Sequence, residues 1–442
     1  MTLKSGTALH RDMNATADDW LVSLRRELHR HPEPAWCEFA TTARIVEELE
    51  RLDVDEVRVG PEILAEDARL ELPDEETLHG WFDRASETDA DPDVLDRLEG
   101  GYTGAMATLD GGEGPTIALR VDIDGLPQRE ADGAEHTPAA EGFRSVHEGY
   151  MHACGHDAHM TIGLGVLREF AKSGFDGTLK VFFQPAEEVV GGGKAVAESG
   201  HLDDVDALLA IHVGLDHPTG EIVAGMNGFL AVSHFEARFT GTPAHAGAHP
   251  NRGANAVQAM ATAVGNLYGI ARHGDGATRV NAGEVAGGTA SNIIPEDASI
   301  HGEVRGETTE LMEYTRERAE QVVESAAAMH DCEVALERGG EAPSATSDEA
   351  VVEHVAAVAG DHEGVDSVVK WGEIGASEDA TYLMRRVQEH GGDAGFVGIG
   401  TDHPGGHHTA TFDVDERSLS LGVDVLTGTV RRLAEQYRGR TD

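Results

Sequence analysis

The chain has 442 residues and carries 80 Asp and Glu against 34 Lys and Arg, a formal charge of -46. That length exceeds one simple core, so two domains are expected, and 40% hydrophobic content is enough to fill both. Nucleic acid is excluded as a partner because phosphate contacts need basic patches, and a membrane because no apolar run approaches the roughly 20 residues of a span.

The acids run along the whole chain and are not gathered in a tail. Their mutual repulsion is screened within about 3 Å at 1 M salt, so a salt-loving source is expected. Cys37, Cys154 and Cys332 cannot make a disulfide framework, and residues 1–12 lack the apolar centre of a signal peptide. Both point to a cytoplasmic location.

In residues 20–30 and 38–52 apolar side chains recur at helical spacing, as in Ile45, Val46 and Leu49, and His31-Pro32-Glu33-Pro34 separates the two. Residues 75–98 read as one acidic, solvated helical stretch. Residues 102–109 and 116–123 read as strands. The second leads into Asp122-Ile123-Asp124, and carboxylates at the carboxyl end of a buried strand are where open α/β sheets place ligand chemistry.

The run Tyr150-Met151-His152-Ala153-Cys154-Gly155-His156-Asp157-Ala158-His159 packs a thiol, three imidazoles and a carboxylate into one short segment. Thiolate and imidazole are ligands that borderline-soft divalent ions select, and Gly155 lets Cys154 and His156 converge. Taken alone, the segment also fits a redox or buried cysteine beside ordinary histidines. A helix over about 158–172 and a strand over 178–183 follow, leading to Gln184-Pro185-Ala186-Glu187-Glu188. Adjacent acids after an apolar strand suit a metal ligand beside a proton acceptor. A helix at 193–199 and a strand at 205–211 end in His212. Three strand ends that deliver ligands describe a doubly wound α/β sheet with one working edge.

Patterning changes near Gly228. Phe235, Ala237 and Phe239 alternate as a half-buried strand, residues 255–270 read as helix, 279–285 and 298–305 as strands, 309–329 as helix and 333–337 as strand. Strand, helix, strand, strand, helix, strand is a compact α+β unit. The expected organisation is a catalytic domain in two parts, residues 1–227 and 342–442, with residues 228–341 inserted between them. The last part holds Ser377-Glu378-Asp379, a strand at 395–399 and the run Gly405 to Glu416, which includes His407 and His408.

His29-Arg30-His31-Pro32-Glu33, residues 151–157, residues 183–188, Gly-Thr-Pro-Ala-His-Ala-Gly at 241–247, Asn292-Ile293-Ile294-Pro295 and Ser377-Glu378-Asp379 occur in order along the chain. Together they resemble the signatures of the metal-dependent aminoacylase/carboxypeptidase family, peptidase family M20, and within it the amidohydrolase branch. The resemblance implies hydrolysis of N-acyl or N-aroyl amino acids, p-aminobenzoyl-glutamate among them. It implies two divalent ions, Mn2+ favoured with Zn2+ as the alternative, held by Cys154, His156, Glu188, His212 and His408, with Cys154 as the bridge. His408 is preferred to His407 because the family's ligand lies four residues before the aromatic matching Phe412. Glu187 would be the general base and Asp124 the orienting acid, although Asp122 could exchange with Asp124. His245 resembles a histidine that reaches into a neighbouring protomer's site, and Asn292 and Arg305 resemble residues that hold the substrate carboxylate. The inserted ferredoxin-like unit would serve as lid and dimerisation domain, in a homodimer or in a heteromer with a related chain. His152 and His159 receive no metal role, and Glu378 is taken as a structural or supporting acid.

Overall fold

A computed structural model describes residues 17–438. The strands β1 (Glu56–Val59), β2 (Ala105–Asp110), β3 (Thr116–Asp122), β4 (Thr178–Gln184), β5 (Ala207–Val213) and β6 (Glu221–Val223) come first, followed by the short β7 (Met226–Asn227). Next are β8 (Ala231–Thr240), β9 (Ala244–His245), β10 (Thr278–Gly287), β11 (Ile293–Ile294), β12 (Asp297–Gly306) and β13 (Glu333–Ala342). The chain closes with β14 (Ser367–Val369), β15 (Gly372–Glu373) and β16 (Asp393–Ile399).

An eight-stranded mixed sheet has the order β1-β2-β4-β3-β5-β16-β6-β14. Its centre is parallel, since β3 pairs in parallel with β4 and β5, and β5 with β16. The carboxyl ends of β3, β4 and β5 therefore lie along one edge. Alternate residues of β3 face two different cores. Ile117, Leu119 and Val121 pack with Leu24, Ile162 and Leu426, while Ala118 packs with Leu383 and Met384. Helices thus cover both faces of the sheet, which is the doubly wound arrangement read from the sequence, and each fully buried aliphatic side chain contributes roughly 1.5–3 kcal/mol.

The second sheet has the order β10-β12-β8-β13 and is antiparallel throughout. With the helices Ala256–Leu267 and Thr309–Met329 it forms the expected strand, helix, strand, strand, helix, strand unit. Asn255 and Thr308 cap those helices by accepting from the backbone N–H groups of Gln258 and Leu311. Phe235, Ala237 and Phe239 turn toward the helices, where Ala259, Ala263 and Val323 meet them. His234 and Glu236, at the alternate positions of β8, look away from that core.

Two expectations are corrected by local chemistry. The single acidic stretch at 75–98 is two helices, Glu75–Ser86 and Pro92–Leu98. Asp91 accepts from the N–H of Asp93 and Pro92 occupies the first turn, so a new helix starts there instead of the old one continuing. His212 lies inside β5, which extends to Val213, and does not follow the strand's end. Among the described residues no helix is long and apolar enough to cross a membrane.

Candidate metal centre

The turns at the sheet edge are shaped by left-handed backbone. Gly155 has φ 86, and a Cβ there would stand 2.5 Å from Cγ2 of Val213, so the helix His156–Ser173 can begin this close to β5 only with glycine before it. Ala186 has φ 56, and its N–H donates to Oε1 of Glu38 at 2.8 Å. That bond holds the turn that presents Glu187 and Glu188. His408 has φ 58 and donates its backbone N–H to the Ala153 carbonyl at 2.8 Å, which ties the C-terminal loop to the cysteine run.

Five side chains expected as ligands converge at this edge. Sγ of Cys154 lies 3.4 Å from Nε2 of His212 and 3.6 Å from Nδ1 of His407. Cys154 also shares a compact donor group with Glu188 and His408, where Nε2 of His408 is 3.4 Å from Oε2 of Glu188. Nε2 of His156 faces Glu188 Oε1 at 3.7 Å and Glu187 Oε2 at 3.8 Å. The groups overlap, and Cys154 and Glu188 each belong to two of them.

The donor set fits divalent cations. Nε2 of His156 and Oε1 of Glu188 are buried and hydrogen-bond to no protein atom among the described residues, yet they face one another across a gap that a cation would fill. The tautomers agree. The Nδ1 of His212 donates to the Val213 carbonyl at 2.7 Å, so its Nε2 carries a free lone pair. His156 directs Nδ1 at Asp124, 3.2 Å away, which turns Nε2 toward Glu187 and Glu188. His407 differs: its Nε2 accepts the Leu215 N–H at 3.0 Å, so Nδ1 bears the proton and points it at the Cys154 sulfur.

Electrostatics point the same way. Burial and then the neighbouring Glu378 and Glu188 push the Glu187 carboxyl well above its ordinary range. Burial raises Glu188 to about 8. Burial works against charge on His156, but Asp122, Asp124 and Glu188 outweigh it and lift the imidazole to about 10. Burial, with Glu188 and Glu187 nearby, also pushes the Cys154 thiol up. The edge is overloaded with negative charge, and a cation would relieve it.

Asp124 and Asp122 have separate tasks. Asp124 reaches His156 with one oxygen and accepts the Glu188 N–H with the other at 3.0 Å. Asp122 is braced by Nη1 of Arg120 at 2.9 Å and by His159, whose far nitrogen accepts the Val213 N–H at 2.8 Å. His159 thus links the ends of β3 and β5. His152 is buried with neither ring nitrogen paired among the described residues, and burial lowers its pKa to about 4.

The residues expected to touch substrate lie elsewhere. His245 is exposed on β9, where its Nδ1 accepts the N–H groups of Gly247 and Ala248, both at 3.1 Å. It pairs in register with Ile293, which puts exposed Asn292 beside it. Within one chain neither belongs to the donor groups of the metal edge. Arg305 sits on β12 and reaches Ser377 Oγ at 3.2 Å, next to Glu378 and Asp379.

Sequence reasoning missed Arg120. It is wholly buried and binds Gln184, Asp122, Glu378 and Asp379. A lone arginine inside an apolar strand, two residues before Asp122, was the available signal. Glu38 was missed as well, and no local pattern marks it, because its partner Ala186 is distant in sequence.

Residues 118–432 match the model of peptidase family M20/M25/M40. The chain is 42% identical over 417 residues to the indole-3-acetyl-aspartic acid hydrolase of Enterobacter agglomerans, covering 92% of this chain and 94% of that protein. It is 41% identical over 414 residues to one of the subunits of the p-aminobenzoyl-glutamate hydrolase of Escherichia coli strain K12, again covering 92% and 94%. Among solved structures it resembles the aminobenzoyl-glutamate utilization protein of Klebsiella pneumoniae, with TM-score 0.81, 34% identity and coverage of 95% of this chain and 97% of that one. With the family model spanning most of its length and relatives above 40% identity along nearly all of it, this chain belongs to peptidase family M20.

Proposed function

We propose that the protein is a metal-dependent amidohydrolase that cleaves the amide bond of N-acyl or N-aroyl amino acids, p-aminobenzoyl-glutamate among them. The observation that carries this reading is the unpaired His156 Nε2 facing Glu187 and Glu188 at 3.8 and 3.7 Å: one carboxylate is placed to ligate and its neighbour is placed beside it to move protons. The relatives named for hydrolysing indole-3-acetyl-aspartate and p-aminobenzoyl-glutamate support the substrate class.

In this reading Cys154, His156, Glu188, His212 and His408 would hold two divalent ions, Mn2+ by preference and Zn2+ as the alternative. Bound there, the ions supply Lewis acidity toward the scissile carbonyl and a lowered pKa for the attacking water. Glu187 accepts the water's proton and returns it to the leaving amine nitrogen. Asp124 keeps His156 and the Glu188 turn aligned. His407 donates to the Cys154 sulfur and does not ligate.

Arg305 offers a planar fork to the substrate's free carboxylate, with Asn292 alongside in the assembled site. His245 has its Nδ1 occupied by backbone N–H groups, which leaves Nε2–H as a donor. Because it stands on the inserted unit and away from its own chain's metal edge, it serves the carbonyl oxygen of a neighbouring protomer's substrate. The inserted unit is then lid and dimerisation domain, in a homodimer or a heteromer.

The Escherichia coli relative is named as one subunit of its hydrolase, which favours a second reading in which this chain works only with a related partner chain. Amide hydrolysis by the purified chain with added Mn2+, beside Glu187→Ala, tests both. Activity that is lost in the variant supports the hydrolase, activity unchanged by the substitution removes Glu187 from the mechanism, and no activity until a partner is added supports the second reading.

A further inference from the structure

On β12, Arg305 and Glu303 are two residues apart and project from the same face. The guanidinium of Arg305 is held at two edges. Nη1 donates to Ser377 Oγ, and Ser377 in turn donates to the Leu230 carbonyl at 2.7 Å, so this edge is anchored to the segment that carries Glu378 and Asp379. The other edge, Nε and Nη2, meets both oxygens of Glu303 at 2.9 and 2.8 Å. That two-point geometry is the one a ligand carboxylate would use.

Glu303 has somewhere else to go. Its Oε2 lies 3.8 Å from Nε2 of His234, whose Nδ1 is 3.6 Å from Oε1 of Glu71. The Arg305 and Glu303 side chains are 30% and 28% exposed, so the pair can exchange partners without opening a core.

We infer that Glu303 is a specificity-determining residue: it occupies the Arg305 fork as a resident carboxylate and yields it to the free carboxylate of an N-acyl amino acid, moving toward His234. The inference rests on the proposed role of Arg305. A fork that is already filled admits a ligand only in proportion to how often it is vacated, which lowers the apparent affinity by that fraction. A neutral ligand has nothing to exchange and leaves Glu303 in place. Glu303 therefore weakens binding of the right substrate while keeping an empty arginine from capturing other anions.

The test compares KM and kcat for p-aminobenzoyl-glutamate and for its α,γ-diamide, which carries no carboxylate, using the manganese-loaded wild type, Glu303→Gln, Arg305→Met and, as a charge control on β8, Glu236→Gln. Dissociation constants for p-aminobenzoyl-glutamate are measured by calorimetry in a Glu187→Ala background. Glu303→Gln is expected to lower KM and the dissociation constant for the acid about five-fold, the scale of a part-exposed ion pair, with the effect on KM and not kcat. The diamide and the Glu236→Gln control should not share the gain. An unchanged or raised KM in Glu303→Gln overturns the inference, as does an equal gain for the diamide or in the control. Arg305→Met separates the two claims: if it raises KM for the acid, the role of Arg305 stands whatever Glu303 does, and if it leaves KM unmoved, that role and this inference fall together.

Discussion

Oδ1 of Asp124 stands 3.2 Å from Nδ1 of His156, and both groups are buried. The contact orients the ring and aims Nε2 at the gap beside Glu188. Partners of this kind usually govern metal affinity about 10- to 100-fold. Asp124→Ala is therefore expected to raise the Mn2+ dissociation constant by that range, read by calorimetry, with the circular dichroism spectrum unchanged. Wild-type affinity in the variant would show that His156 is aimed by something else.

Arg120 offsets the charge of three buried carboxylates, Asp122, Glu378 and Asp379. Arg120→Met keeps most of the volume but leaves those acids without their cation. Breaking a buried pair from one side costs about 3–5 kcal/mol. Urea unfolding should show a loss of that order. A loss under about 1 kcal/mol would mean that the acids are already neutral in the native state.

His29 should make stability depend on pH. Burial and Arg25 push its imidazole down, but hydrogen bonds with Asp157 and Glu130 prevail and raise it to about 9 from 6.5. A group whose pKa is raised by folding contributes fully below its unfolded value and loses that contribution as pH climbs through the folded one. At 1.36 kcal/mol per unit the contribution is about 3 kcal/mol, present below about pH 6.5 and gone above about pH 9. Unfolding free energies across that window should fall in the wild type and stay flatter in His29→Gln.

The acidic surface predicts a response to salt. The 80 acids outnumber the 34 basic residues along the whole chain, an excess that repels itself in dilute buffer. Raising KCl from about 0.1 M to about 1 M shortens the Debye length from about 10 Å to about 3 Å. The melting temperature is expected to rise over that range. Full stability at the lower concentration would detach the charge of -46 from any salt requirement.

Much of this was legible in the residues because it is local. The apolar strands 116–123 and 178–183 announced themselves by composition, and their polar ends marked the working edge. Cys154 and His156 stood out as candidate ligands by proximity, as did Glu187 with Glu188 as a candidate proton acceptor beside a ligand. What stayed hidden depends on chain segments far apart. Glu38 acts through the Ala186 N–H, and Glu303 matters only because β12 brings Arg305 against Ser377. The break at Asp91-Pro92 was written in the sequence, since proline opens helices more readily than it continues them, but the uninterrupted acidic composition on either side hid it.

The bond between the His408 N–H and the Ala153 carbonyl has a consequence for synthesis on the ribosome. The cysteine run emerges long before the loop that completes its surroundings. A nascent chain must therefore carry an unfinished pocket until that loop has emerged, and the donor groups around Cys154 can be complete only then.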